Sequence, residues 1–172
     1  IDYSTAFSEA AEYLCSLGHS RFGYIGCHGE RYENYAAVMD KYGLADSDYV
    51  FDGMGYPENG IKGMQFFLRM EKPPTAIFCH NDSVALSAMA EAQRNGLEIG
   101  SDISIIGIDN TLESGFSYPA LTTIDTFIGQ KAGIMVDLLL ERFGAPEKKA
   151  VSLTLKSKLI IRKSCGPARE RT

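Results

Sequence analysis

Hydrophobic positions along the chain fall into two kinds of segment. Short, nearly continuous apolar runs, rich in β-branched and aromatic residues, are separated by longer stretches with apolar residues at helical spacing. The runs are Phe22 to Gly26 (FGYIG), Tyr49 to Phe51, Thr75 to Cys79 (TAIFC) and Ile103 to Ile108 (ISIIGI). They do not alternate with polar residues, which is the pattern of strands buried on both faces of a parallel sheet. Helices are predicted between them over Ser4 to Leu17, Tyr32 to Tyr42, Pro57 to about Met70, and Asp82 to Asn95. Gly18, Gly43 and Gly96 stand where helices end, and Pro57 stands in a first turn. Strand and helix alternate in units of roughly 30 residues, so the prediction is a doubly wound α/β layer with a parallel sheet.

The rhythm changes after Ile108. Residues 109–118 are polar and irregular, and Leu121 to Ile124 is a short extended piece. Phe127 to Phe143 is a long amphipathic helix with Ile128, Ala132, Met135, Leu138, Leu139 and Phe143 at helical spacing, stopped by Gly144, Ala145 and Pro146. Val151 to Leu155 and Lys158 to Ile161 read as a hairpin or two edge strands, and residues 166–172 as a frayed tail.

Composition narrows the class. At 172 residues, with 45% hydrophobic and 23% charged positions, the chain has the balance of an ordinary soluble globular domain. No apolar run is long enough to span a membrane as a helix. Lys plus Arg is 17 and Asp plus Glu is 22, a net charge of −5. That leaves no broad electrostatic footprint for nucleic acid, so any DNA-binding part lies outside these residues. The four cysteines, 15, 27, 79 and 165, form no close pair, as expected of reduced thiols in a cytoplasmic protein. The chain opens on Ile1 with no signal peptide and reads as a piece of a longer protein.

In an open parallel sheet, ligands bind outside the carboxyl ends of the strands. The residues after the four runs are therefore the candidates: Cys27 to Arg31, Gly53 to Tyr56, His80 to Asp82, and Asp109 with Asn110. Arg31, Asn81 and Asp109 bring a cationic fork, an amide and a carboxylate to one edge, with Tyr56 nearby. This polar set suits a polyhydroxylated or heterocyclic small molecule. Singly, each residue has a structural reading. Asn81 or Asp82 could cap the helix that follows, Asp109 could cap a turn, and Arg31 could be a solvated first-turn residue. Together on one edge they read as a binding site.

Other motifs carry less. Cys27 with His28 and Cys79 with His80 are adjacent pairs, whose side chains point to opposite faces of an extended chain, so zinc is not expected. No third group orients a Cys–His nucleophile, and no glycine-rich phosphate loop follows a strand; neither an enzyme nor a cofactor is predicted. His19 reads as a loop residue after a helix end. Residues 81–83 match a glycosylation sequon, which means nothing without secretion.

Four motifs resemble one family in order. Residues 11–26 (AEYLCSLGHSRFGYIG), 73–82 (PPTAIFCHND), 96–110 (GLEIGSDISIIGIDN) and 119–124 (PALTTI) are similar to stretches of the lac repressor (LacI/GalR) family of transcription regulators. The resemblance implies a bilobed effector-binding domain with the type I periplasmic-binding-protein fold, here truncated. It implies that residues 1–20 form a helix of the N-terminal lobe and 21–121 the C-terminal lobe. Residues 122–148 would be a crossover and a second N-lobe helix, and 149–172 the final strands and tail. Both N-lobe helices would then lack their sheet. A helix-turn-helix headpiece outside this chain would bind operator DNA, under control of a sugar or other small metabolite, in a homodimer. By resemblance, Arg31, Asn81, Asp109 and Thr126 fall on effector contacts. Two departures stand out: Asn34 replaces a usual glycine, and Gly55 replaces an aromatic that stacks on the ligand, with Tyr56 beside it as a substitute. The loop from Leu112 to Tyr118 falls on the family's dimer contacts. A sugar-binding protein of a transport system shares the fold and is the alternative.

Overall fold

The computed structural model describes residues 1–147, 149 and 151–169. In chain order the elements are α1 (Ser4–Ser16), β1 (Phe22–Gly26), α2 (Glu30–Lys41), β2 (Val50–Asp52) and α3 (Pro57–Leu68). There follow β3 (Ala76–Cys79), α4 (Asp82–Arg94), β4 (Ser104–Ile108), α5 (Leu112–Phe116), β5 (Thr122–Asp125), α6 (Ile128–Gly144) and β6 (Lys158–Ile160). One sheet runs in the order β2-β1-β3-β4-β5-β6. Its first five strands are parallel, and β6 closes the edge antiparallel to β5.

The continuous apolar runs are buried on both faces because successive side chains of a strand point to opposite sides. Every residue of β1, β3 and β4 is buried. Phe22, Tyr24, Phe78, Ile106 and Ile108 enter one core with Phe7 and Leu14 of α1 and Tyr35 and Met39 of α2. Ile25, Ile77 and Ile105 enter the other with Met64 and Phe67 of α3 and Val84 and Met89 of α4. Helices α3 and α4 pack closely at Gly60, where any Cβ would collide with the Ser87 hydroxyl and the Val84 carbonyl.

Four expectations change. Helix α1 is not left without a sheet: Ala6, Phe7, Ala10, Ala11 and Leu14 are wholly buried against β1, β3 and β4. Its apolar stripe matches this sheet, so it belongs to this lobe. Residues 151–155 form no strand, since no second strand lies beside them to complete a ladder. Instead Asp2 N–H donates to the Leu155 carbonyl (2.8 Å), and Ser157 N–H donates back to Asp2 (3.0 Å). Within residues 109–118, Leu112–Phe116 makes a short helix.

The tail is pinned as far as Ala168, whose N–H donates to the Leu17 carbonyl (2.8 Å); residues 170–172 of that expectation lie outside the described residues, as does Ala150. Buried His19 is the anchor. Its Nε2 lies 3.0 Å from the Gly166 carbonyl, and its Nδ1 lies 2.9 Å from the Thr75 hydroxyl.

Helix α6 does lack cover. None of its residues is buried, and Met135, Val136, Leu139, Leu140 and Phe143 are all more than half exposed. A groove of about 370 Å³ runs between α6 and Val151. It shares no lining residue with the polar edge of the sheet, where the candidate chemistry sits.

Candidate functional site

The strand order reverses direction between β1 and β3, and the crevice at the carboxyl ends of these two strands is where such sheets receive ligands. The loops after β1 and β3 and the turn after β4 supply the site. Gly29 holds φ at +144°, a conformation that favours glycine, and so turns the chain from β1 into α2 with Arg31 in the first turn.

Arg31 and Asp109 meet as a bidentate pair. Nη2 donates to Asp109 Oδ1 at 2.7 Å and Nη1 to Oδ2 at 3.2 Å, while Nη1 also donates to the His80 carbonyl at 2.6 Å. The two side chains are 21% and 16% exposed. The Tyr3 ring lies 5.7 Å from the Arg31 guanidinium carbon. Burial works against the Arg31 charge, but the charge and hydrogen bonds of Asp109 more than offset it, so its pKa lies above the ordinary value. Thr126, almost wholly buried, donates its hydroxyl to Asp109 Oδ1 at 3.2 Å.

The turn carrying Asp109 is strained and tightly held. Asp109 and Asn110 have φ of +111° and +50°, conformations that cost non-glycine residues about 1–2 kcal/mol each. Three successive N–H groups are fixed in compensation: Asp109 to the Ile124 carbonyl (2.8 Å), Asn110 to Thr123 Oγ1 (3.3 Å) and Thr111 to Asp82 Oδ2 (2.7 Å). Asn110 Oδ1 accepts from Arg162 (2.6 Å), and its amide donates to Asp125 (2.9 Å). Asp125 in turn accepts from the Phe127 N–H (2.7 Å) at the entry to α6.

Asn81 and Asp82 divide the two roles that the sequence left open. Asn81 is the cap of α4, accepting from Val84 N–H at 2.9 Å, and its amide donates to the Gly55 carbonyl at 2.8 Å. Asp82 is fully buried and accepts from the Thr123 hydroxyl at 2.5 Å. Burial pushes its carboxyl above the ordinary value, with the bonds from Thr123 and Thr111 acting the other way. Asp109 caps no helix.

The structure thus brings Arg31, Asp109 and Thr126 together and sets Asn81 beside them as a brace for the Gly55 loop. Tyr56 stands apart, 62% exposed at the start of α3. His80, one of the strand-end candidates, also faces the cleft. The His80 ring lies 3.3 Å from the Tyr24 hydroxyl and 3.7 Å from Cys27 Sγ. A Cβ on Gly55 would come within 2.7 Å of it. Gly55 and the histidine at 80 therefore fit together: the glycine leaves the space that the ring fills. Burial, then the Arg31 charge, lowers the His80 pKa, favouring the neutral ring. Cys79 points into a core and His28 stacks edge-on against Tyr32. Only Cys27 and His80, one from each Cys–His pair, therefore meet, and among the described residues no group of three or more His, Cys, Asp or Glu is arranged to hold a metal.

A family model described as a periplasmic binding protein-like domain matches residues 11–165. The chain belongs to that family. Within the periplasmic binding protein-like domains, its relatives are regulators of lac repressor (LacI/GalR) type, as the motifs implied. The HTH-type transcriptional repressor CytR of Escherichia coli K12 is 38% identical over 175 residues, covering 95% of this chain and 50% of that protein. The repressor PurR of Pasteurella multocida is 37% identical, covering 90% and 48%. A LacI regulator from a Rhodococcus species superposes with a TM-score of 0.89 at 30% identity, over 98% of this chain and 64% of its own. A LacI family regulator from Enterococcus faecium with bound ribose gives 0.87 at 26%, over 98% and 65%. The chain spans about half the length of the curated relatives it matches. Those relatives are transcription regulators, not enzymes, and no described helix is long and apolar enough to cross a membrane.

Proposed function

We propose that this chain is the effector-sensing part of a cytoplasmic transcription regulator. A sugar or other small metabolite binds at the Arg31–Asp109 edge and changes the affinity of a helix-turn-helix headpiece, outside this chain, for operator DNA. The observation that carries the reading is the preset ion pair at the strand-order reversal. Asp109 can only accept and Arg31 can only donate, so together they recognise neighbouring hydroxyls in a fixed orientation. Thr126 and Asn81 orient the site, and Tyr56, exposed at the start of α3, would reach the ligand only by moving toward it. The type of relative, a repressor in both cases, favours a regulator over a transport protein.

Coupling to DNA needs an element that both sites bias. The bonds from Asn110 through Asp125 to Phe127 tie the ligand turn to the segment leaving the lobe, and supply such an element. The regulator acts as a homodimer through α5 and its exit. Leu112, Phe116 and Tyr118 are 75, 81 and 91% exposed there, on a turn held by Arg162 bonds to Ser114 and the Leu121 carbonyl. Exposed aromatics on a rigid turn are what interface cores use.

Calorimetric titration of the intact regulator with a panel of sugars and nucleosides tests the site. Asp109→Ala is expected to weaken effector binding by about 1.5–3 kcal/mol, the scale of hydrogen bonds to a charged group. Operator affinity without effector should be unchanged. Equal effector affinities would remove Asp109 from the site.

A further inference from the structure

Two short pieces of this lobe depend on outside contacts for their shape, and one side chain touches both. The turn of Asp109 and Asn110 holds positive φ at two residues that are not glycine. Helix α5 is a single stretch of five residues, and its N-cap Thr111 makes no side-chain cap bond. A helix that short has no stability of its own and takes its place from whatever holds it. Arg162, two residues past the end of β6, lies between the turn and the helix.

The backbone around Arg162 is fixed first. Its N–H donates to Thr122 Oγ1 at 2.9 Å, and Lys163 N–H donates to the Ala120 carbonyl at 2.9 Å. From there the guanidinium reaches two ways. Nη2 donates to Asn110 Oδ1 at 2.6 Å. Nη1 donates to the buried Ser114 hydroxyl at 3.0 Å and to the Leu121 carbonyl at 2.7 Å. The Ser114 hydroxyl itself donates to the Thr111 carbonyl at 2.6 Å, which leaves its lone pairs for Arg162. A Cβ on Gly115 would stand 4.0 Å from Nη2, so the guanidinium lies beneath α5. A planar fork holds both partners at a fixed spacing, which the single nitrogen of a lysine cannot do.

Asn110 adjoins Asp109, and α5 carries the exposed Leu112 and Phe116. We propose that Arg162 is a positioning residue through which dimerisation holds the effector turn in its strained shape. Packing α5 against a second copy stills Ser114, and with it Arg162 and Asn110; a turn already ordered loses less freedom when a ligand engages it. By linkage, an effector that favours the held turn strengthens the dimer by the same factor. This link rests on the reading of α5 as the dimer face and joins that face to the cleft.

The test needs no effector. The N–H groups of Asp109, Asn110 and Thr111 are all bonded in this turn, so their hydrogen exchange reports its opening. Exchange is followed in the full-length regulator above and below the dimer dissociation constant, which sedimentation fixes for each variant. In wild type these three amides are expected to be roughly fivefold or more better protected in the dimer than in the monomer. In Arg162→Met and Arg162→Lys, protection should be lower and the same in both states. Asn110→Gly suits the positive φ while removing the amide. It should lose the difference in the same way, and it serves if the Arg162 variants do not fold.

A merely structural brace would lower protection by one factor in monomer and dimer alike. Variants that keep the wild-type ratio between the two states therefore overturn the proposal, as does wild-type protection that ignores concentration. Phe116→Asp separates the two readings. If it dimerises as wild type does, α5 is not the dimer face and the link falls with it. If it is monomeric and its turn is as protected as in the wild-type dimer, the dimer face stands and the link alone is refuted. The effector role of Asp109 is tested apart from both by titration of Asp109→Ala.

Discussion

Replacing Asp82 by alanine should cost stability out of proportion to the size of the side chain, although Asp82 touches no ligand in our reading. Its carboxylate holds the Thr123 hydroxyl at 2.5 Å and the Thr111 N–H at 2.7 Å, so it clamps β5 to the strained turn of Asp109 and Asn110. Two charge-assisted bonds at about 1.5–3 kcal/mol each give roughly 3–6 kcal/mol. Relief of the buried charge returns part of that, leaving a net loss of about 2–4 kcal/mol. At about 2–4 °C per kcal/mol for a domain of this length, the melting temperature should fall by roughly 5–15 °C. Asp82→Asn keeps the shape and one good acceptor, and should lose less than half as much.

The pH dependence gives a second reading. Burial raises the folded-state pKa of Asp82, so the protonated form favours the fold. That contribution is fully present below the ordinary value of about 3.9 and is lost as pH rises through the raised one. The stability of wild type relative to Asp82→Asn should therefore improve as pH falls toward 4. Calorimetric melts of the full-length proteins decide. A shift under about 2 °C for Asp82→Ala at neutral pH would show that the turn is held by other bonds and that the clamp is incidental.

Other outcomes follow from the same geometry. Phe116→Asp should lower the dimer fraction in sedimentation of the full-length protein, whereas an unchanged distribution would take α5 out of the interface. Gly55→Ala should cost about 1–3 kcal/mol by overpacking against His80, and the double variant with His80→Ala should recover most of it; additive losses would break the link between the two positions. Burial lowers the His19 pKa, so His19 contributes fully above about pH 6.5 and loses that contribution as pH falls through the lowered folded value. Urea midpoints of wild type and His19→Gln should therefore converge between about pH 7 and 5, and parallel curves would mean that folding leaves the His19 pKa unchanged.

The parallel sheet was legible because its strands are buried twice over: FGYIG and ISIIGI leave no polar face to confuse the period. The ends of α2 and α3 drifted by one or two residues, where capping geometry rather than apolarity sets the limit. Helix α1 was misplaced for a clearer reason. Its stripe of Ala6, Ala10, Ala11 and Leu14 announces that it packs, and nothing in a stripe names the sheet it packs on. Residues 151–155 look like a strand by composition, but a strand exists only with a neighbour.

At the site, Arg31 and Asp109 were readable from their positions after strands. Their pairing was not, because residues 78 apart in sequence meet only through the strand order. Asp82 and Asn110 were readable as strand-end candidates, but their bracing role with Arg162 was not, since it depends on partners far apart in the chain. His80 was readable as a strand-end candidate, but its close fit against Gly55 was not, since the two positions meet only in the fold.

The seam between the first residues and Ser157 has a kinetic consequence. Asp2 and Ser157 are 155 positions apart, yet they bond twice through the Asp2 carbonyl. The units from β1 to β4 close short loops and can assemble early. Closing the seam and adding β6 requires almost the whole chain to be in place, an entropic cost that grows with loop length. These contacts are therefore expected to form late in folding and to open early in native-state fluctuations, which native-state hydrogen exchange checks. Because α6 lies between β5 and β6 in the chain and none of its residues is buried, it is expected to open together with these contacts. The Arg31–Asp109 pair, set at the ends of β1 and β4, belongs to the remainder, with Thr126 at its border, so the part of the lobe that carries motion outward can loosen while the pair that reads the ligand remains fixed.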